Sequence, residues 1–282
     1  MSELWTRRRF LRATAGATAG LAGLGLYAWQ VEPHWVQIVE RPLPLAGLPR
    51  TLRGATLVQL SDLHAGHWVS ESYLIESLDR AAALRPDFVV FTGDFITYRW
   101  SDRLDALARV LEHLPRGRIA TVAALGNHDY GFRWSQGPIA DAIEQMLQAR
   151  GATVLRNRST VLGELQFIGV DDLWAHRFHP SDALASYDPE RPTLALCHNP
   201  DAADHPAWRE FQGWILAGHT HGGQCKPPFL PPPLLPVRNK RYTAGPFDLA
   251  PGRWMYINRG LGHLTQVRFN VRPEITRFVL TS

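Results

Sequence analysis

Residues 56–64 read Thr-Leu-Val-Gln-Leu-Ser-Asp-Leu-His, a short strand-like run that gives way at once to a carboxylate and an imidazole. The same grammar recurs along the chain. Asp87 to Phe91 runs into Thr92-Gly93-Asp94, and Ile119 to Leu125 runs into Gly126-Asn127-His128-Asp129. Thr193 to Cys197 runs into His198-Asn199-Pro200, and Trp214 to Ala217 runs into Gly218-His219-Thr220-His221-Gly222-Gly223. A sixth run, Leu165 to Val170, is followed by Asp171 and Asp172. Short apolar runs of this length read as buried strands. Between them lie helical spacings: Leu104, Leu107, Ala108, Leu111 and Leu114, with Ser101 as a cap, then Ile139, Ile143, Met146 and Leu147, opening near Pro138 and stopping at Gly151. Strands alternating with amphipathic helices predict an α/β domain.

In such sheets ligands bind outside the carboxyl ends of the strands, where these Asp, Asn and His residues fall. Each piece alone is weak, since a single histidine near a strand end is commonly a hydrogen-bonded structural residue. Gathered together, uncompensated carboxylates and imidazoles call for a cation. Alternation along an extended backbone would turn Asp62 with His64, and His219 with His221, toward one cluster. Oxygen and nitrogen donors without thiolate suit Mn, Fe, Zn or Mg.

Composition narrows the remainder. The chain of 282 residues is 45% hydrophobic, enough for a sizeable core, and residues 1–12 carry +3 of its formal charge of +4. The nearly neutral body has no Lys/Arg run of the kind that tracks nucleic acid, so no nucleic-acid partner is expected. Cys197 and Cys225 form no Cys-x-x-Cys pair, which excludes a thiolate zinc module, and they read as two small buried residues rather than a disulfide.

Residues 1–31 read as an address. Thr6-Arg7-Arg8-Arg9-Phe10-Leu11-Arg12 precedes nineteen uncharged residues, Ala13 to Val31, rich in Ala, Gly and Leu. This closely resembles a bacterial twin-arginine signal, and its Ala/Gly content is weakly apolar for a spanning helix. No clear Ala-x-Ala site follows, which leaves release into the periplasm and an uncleaved tether on the outer face of the cytoplasmic membrane as alternatives. The export machinery and the membrane are therefore expected partners. Residues 32–54 read as a lead-in, with Ile38 and Val39 as an edge strand, and 55–282 as the α/β domain that carries the cluster.

Asp62-x-His64, Gly93-Asp94, Gly126-Asn127-His128-Asp129, His198 and Gly218-His219-Thr220-His221 together resemble the motif set of the calcineurin-like metallophosphoesterases, over roughly residues 55–280. The stretches Gly126 to Tyr130, Val170 to Leu173, Cys197 to Asp201, Gly218 to Gln224 and Arg259 to Gly262 resemble its bacterial YkuE/YaeI-type branch. The resemblance implies a four-layer α/β/β/α sandwich and two divalent metal ions. One would be held by Asp62, His64 and His221, the other by Asn127, His198 and His219, with Asp94 bridging. The reaction implied is hydrolysis of a phosphate ester, in the first place a phosphodiester or pyrophosphate, by a hydroxide bridging the two metals. His128 would donate a hydrogen bond or proton to the phosphate or leaving oxygen. Where the related phosphatases carry an Asp three residues after the bridging one, Thr97 stands here, so Asp129 becomes the candidate partner of His128 by proximity.

Asp171 and Asp172 read as turn and supporting residues, while His67 and Gln224 are candidates for substrate contact. The proline-rich stretch Pro227 to Pro236 must be an extended loop, and its Phe229, Leu230, Leu234 and Leu235 would suit the acyl chains of a lipid-linked phosphoester as well as a small-molecule one. The competing readings are a phosphomonoesterase or nucleotidase and, from a different class, a catalytically idle exported metal-binding protein. No ligand position is lost, which disfavours the second.

Overall fold

The computed structural model describes residues 6–66, 68–97 and 103–282. Two six-stranded sheets carry the fold. The first holds β1 (Gln37–Pro44), β2 (Thr56–Leu60), β3 (Phe88–Thr92), β4 (Ala120–Ala124), β5 (Thr153–Val154) and β12 (Glu274–Thr281), in the order β1-β12-β2-β3-β4-β5. The second holds β6 (Arg158–Leu162), β7 (Leu165–Gly169), β8 (Thr193–Leu196), β9 (Gly213–Ala217), β10 (Gly245–Ala250) and β11 (Arg253–Ile257), in the order β10-β11-β9-β8-β7-β6. The central strands β2 to β5 run parallel, as do β7, β8, β9 and β11.

Side-chain alternation assigns the layers. In β3, Phe88 and Val90 point between the sheets, while Val89 and Phe91 point outward. The inner face meets Phe167, Leu194, Leu196 and Leu216 of the second sheet. The outer face is covered by α2 (Glu71–Ala83), α3 (Arg103–Val110) and α4 (Gly137–Ala149), through Leu74, Leu78, Leu107, Val110, Ile143 and Leu147. Strands buried on both faces need no polar alternation, which is why β3 and β4 read as continuous apolar runs. On the far face of the second sheet the fourth layer is thin: α5 (Pro180–Leu184) and the short 3-10 turns at Pro200–Asp204 and Pro206–Trp208. The architecture is the expected α/β/β/α sandwich.

Two details differ from the sequence reading. The lead-in is built into the body: all eight residues of β1 pair with β12, and Leu43, Leu45, Leu48 and Leu52 lie in the inter-sheet core. Its prolines, Pro42 and Pro44, are tolerated because β1 is an edge strand. Helix α2, capped by Ser70, carries an apolar face that local spacing alone did not single out. The predicted cap Ser101 and the candidate His67 lie outside the described residues.

The N-terminal segment forms α1 (Arg7–Leu26), capped by Thr6 and without one buried residue. Among the described residues no helix is long and apolar enough to cross a membrane. Pro227 to Pro236 is a loop without strand or helix, as expected.

Candidate metal centre

The carboxyl ends of β2, β3 and β4 in the first sheet and of β8 and β9 in the second meet at one edge of the sandwich. They bring Asp62, His64, Asp94, Asn127, His198, His219 and His221 into one cluster, every one of them buried. The ligand atoms of Asp62, His64 and His221 lie within 4.8 Å of one another, and so do those of Asp94, His198 and His219. Asp94 stands between the two groups, its Oδ2 3.6 Å from His64 Nε2 and 3.0 Å from His198 Nε2. Nitrogen faces nitrogen at 3.0 Å between His64 and His221 and at 3.1 Å between His198 and His219. Donors about 2.1 Å from a common ion are separated by about this much in tetrahedral or octahedral geometry.

The backbone that achieves this is not extended. Asp62, His64, Asp94, His219 and His221 all take left-handed φ angles, between 49° and 70°. Asp62 and His64 share one group as alternation predicts, but the pairing of His219 with His221 fails, because these residues sit where the chain turns sharply off its strand. His219 and His221 consequently serve different groups rather than one. Glycines make room: a Cβ on Gly126 would collide with Asp94, and one on Gly218 with Ser61 and Asp62.

Supporting groups fix the imidazoles. His198 Nδ1 donates to the Thr92 carbonyl at 2.7 Å and His219 Nε2 to the Pro236 carbonyl at 2.8 Å, which turns the other nitrogen of each ring toward the cluster. Thr97 Oγ1 lies 2.7 Å from His64 Nδ1, so the residue standing where an Asp was expected supports a different histidine. Asp129 does not touch the His128 ring. It accepts four backbone N–H groups instead, from Asp94, Phe95, Ile96 and Gly126, and so shapes the loop that presents Asp94. His128 donates its own backbone N–H to Asp94 Oδ1 at 2.9 Å, and its ring has no hydrogen-bond partner among the described residues.

Electrostatics follow from burial and crowding. Burial disfavours the His198 imidazolium, yet Asp94, Asp62 and Asp172 outweigh it and raise the pKa to about 10. Burial and the neighbouring His198 lower His219 to about 3, and burial lowers His64. Burial resists ionisation of Asp62 and Asp94, but the surrounding histidines hold both below the ordinary carboxylate range. Both side-chain atoms of Asn127 are buried without a hydrogen-bond partner. An amide so placed normally finds a partner, and a cation beside its oxygen supplies one. The donor set fits two divalent ions.

A cavity of about 670 Å³ opens onto the cluster, lined by His64, Asp94, His128, His219 and His221 on its floor and by Leu234, Leu235, Leu264 and Val267 above. Gln224 also lines it, but its amide is spent holding the carbonyls of Thr265 and Val267. Asp172 accepts from Trp174 N and Ala175 N at the head of a turn, whereas buried Asp171 pairs with Arg156 at 3.0 Å and accepts from the Tyr130 hydroxyl. Both cysteines are free.

The calcineurin-like phosphoesterase family matches residues 55–223. The chain belongs to that family. It is a metal-dependent phosphoester hydrolase, and the family works with two divalent ions. Among its relatives, the phosphodiesterase YaeI of Escherichia coli is 33% identical over 98% of this chain and 99% of that one. The metallophosphoesterase YkuE of Bacillus subtilis is 33% identical over 98% of each. The UDP-2,3-diacylglucosamine pyrophosphatase LpxG of Chlamydia trachomatis is 28% identical over 93% of this chain and 95% of the relative.

The buried Asp129 carboxylate makes a prediction of its own. Asp129→Asn points an amide at N–H donors and should cost about 2–3 kcal/mol, a fall of about 5–10 °C. Calorimetry of the metal-free wild type and variant checks this; an unchanged melting temperature would refute the structural role of Asp129.

Proposed function

We propose that Asp62, His64 and His221 hold one ion and Asn127, His198 and His219 the other, that Asp94 spans both, and that the site cleaves a phosphodiester or pyrophosphate bond. The observation that carries this reading is the position of Asp94 Oδ2 between His64 and His198 at the floor of the cavity. When bound, the ions would supply Lewis acidity and lower the pKa of a water molecule. The protein's own part is to fix the donors and to present His128. Burial and the neighbouring histidines lower the His128 pKa, so its neutral ring, free of other partners, can give an N–H to the phosphoryl or leaving oxygen.

Metal analysis of the purified chain should find about two ions, and hydrolysis of a chromogenic diester should vanish in Asp94→Asn. His128→Ala should lower kcat by about 10²–10⁴-fold while keeping its metals. A metal-free wild type, or an Asp94→Asn variant of undiminished activity, contradicts the reading.

The substrate is taken to be amphiphilic. Leu234 and Phe229 are exposed, and Leu234, Leu235, Leu264 and Val267 make the upper wall of the cavity apolar; the LpxG relatives act on a diacylated nucleotide sugar by their name. Deleting the whole loop would also take the Pro236 carbonyl from His219, so point changes serve better. Leu234→Ser with Leu235→Ser should slow hydrolysis of a lipid-linked diester about ten-fold or more and leave a water-soluble diester within about two-fold. Equal losses on both would sink the lipid assignment.

Export through the twin-arginine route, with the domain acting in the periplasm or tethered to the outer face of the cytoplasmic membrane, completes the proposal. Its support is an α1 whose arginines are exposed at the helix start, where the dipole disfavours positive charge and a receptor would relieve it. Fractionation of cells carrying Arg7→Lys with Arg8→Lys should find the protein retained in the cytoplasm; unchanged export would remove this route.

A further inference from the structure

Two indoles stand on the wall of the cavity, and the hydrolysis described above uses neither. Trp134 and Trp174 stack with centroids 5.0 Å apart and planes inclined by 29°. Trp174 meets the His219 ring edge-on at 4.4 Å, and Trp134 lies 6.3 Å from the His128 ring. Both line the cavity and both are half-buried. They differ from the tryptophans of the core. The indole N–H of Trp208 donates to the Ala202 carbonyl and that of Trp214 to the Pro44 carbonyl, as buried indoles ordinarily do. Those of Trp134 and Trp174 have no acceptor among the described residues.

The loops are built to hold the rings there. Arg133 and Trp134 take left-handed φ angles of 52° and 57°, a conformation non-glycine residues rarely adopt. That turn is pinned by Gln136, whose Oε1 accepts from Phe132 N and whose N donates to the Tyr130 carbonyl. Trp174 is pinned through its own backbone N–H, which donates to Asp172 Oδ1 at 2.7 Å. Trp134 also packs against the core beneath the helices, but strain kept at a cavity wall points to a use beyond packing.

We propose that Trp134 and Trp174 form a subsite for a planar, unsaturated ring with acceptor atoms in its plane, the nucleobase of a nucleoside phosphate whose phosphate sits on the metal cluster. The proposal rests on the reading of that cluster as the phosphate site. A nucleobase uses both features of the pair, the π-face by stacking and the indole N–H by hydrogen bonding. An acyl chain uses neither, and the aliphatic residues Leu234, Leu235, Leu264 and Val267 already offer it a wall.

The test compares ligands that differ only in the ring. Uridine 5′-monophosphate, adenosine 5′-monophosphate and ribose 5-phosphate are titrated calorimetrically into the full chain loaded with Mn²⁺, with metal content measured alongside. At least one nucleotide should bind about ten-fold or more tightly than ribose 5-phosphate, the size expected of base–aromatic stacking. Trp134→Ala and Trp174→Ala should each shrink that preference to about two-fold or less without changing metal content or ribose 5-phosphate affinity. Trp134→Phe, which keeps a ring and loses the N–H, should retain part of it. Equal binding of nucleotides and ribose 5-phosphate, no binding of any of the three, or a preference that survives both alanine variants overturns the subsite. In each of those cases, diester hydrolysis and metal binding by the wild type still stand, whereas failure of the hydrolase reading shows as loss of both.

Discussion

The structure is organised around a concentration of donors that cannot be neutral to folding. Asp62 and Asp94 are fully buried, with imidazole nitrogens of His64, His198 and His221 between 3.0 and 3.8 Å from their oxygens. Taking such groups out of water is costly unless each finds compensating charge or hydrogen bonds. The cluster therefore falls where two sheets end together, so that each sheet can satisfy the other's groups. The Asp62 carboxylate of the first sheet accepts the His219 backbone N–H of the second at 3.1 Å, and His198 of the second donates to the Thr92 carbonyl of the first. Gln59 adds a third crossing, to the Ala217 carbonyl at 2.9 Å. The site is thus a seam between the sheets as well as a reaction centre.

Its backbone carries a matching load. Five residues of the cluster in the left-handed region, at about 1–3 kcal/mol each, amount to something on the order of 5–15 kcal/mol, as much as the whole stability of a typical domain. Packing alone does not justify that. Asp129 offsets part of it, since its four N–H acceptances tie the loops after β3 and β4 together, and the close approach at Gly126 and Gly218 lets the loops touch. Cations held by these residues would offset more, because binding energy gained only in the folded state is folding energy. Metal loading and the stability of this edge would then be one equilibrium.

That division also explains what the sequence could and could not tell. Strands β2, β3, β4, β7, β8 and β9 were legible because each is a buried run bounded by turn residues, and the clustering residues were legible because Asp, Asn and His are improbable in numbers at such ends. The directions of the side chains were not, since a left-handed φ at Asp62 or His221 leaves no trace in residue type. Supporting groups that act through carbonyls, as Thr92 and Pro236 do for His198 and His219, are invisible for the same reason. Thr97 was visible as a departure but not as the partner of His64, because a partner is a matter of three-dimensional placement. β1 was only half seen, its prolines masking a strand that an edge position permits.

The N-terminal junction shows how far the centre's demands reach. Arg268 is fully buried, and its Nη2 faces the carbonyls of Arg259, Gly260 and Gly262 at 2.7–3.2 Å. That loop returns to the first ligand strand, Gly262 N donating to the Asp62 carbonyl and Leu261 N to that of Ser61. Arg268 in turn donates its backbone N–H to the carbonyl of Ala28, and Val271 N, three residues on, donates to buried Glu32. The segment that reads as an address is therefore, from Ala28 onward, part of the frame behind Asp62. A buried guanidinium tolerates the loss of its surrounding carbonyls poorly, so the fold sets a boundary that composition did not. A chain severed before Ala28 keeps these bonds, whereas one severed after Glu32 loses three that hold the Arg268 loop against the body, to Ala28, to Glu32 and from Gln266 to the Trp29 carbonyl. The N-terminal segment and the frame behind Asp62 thus overlap by those few residues, and α1 leaves the body at the same loop whose Leu264 and Val267 form the upper wall of the cavity.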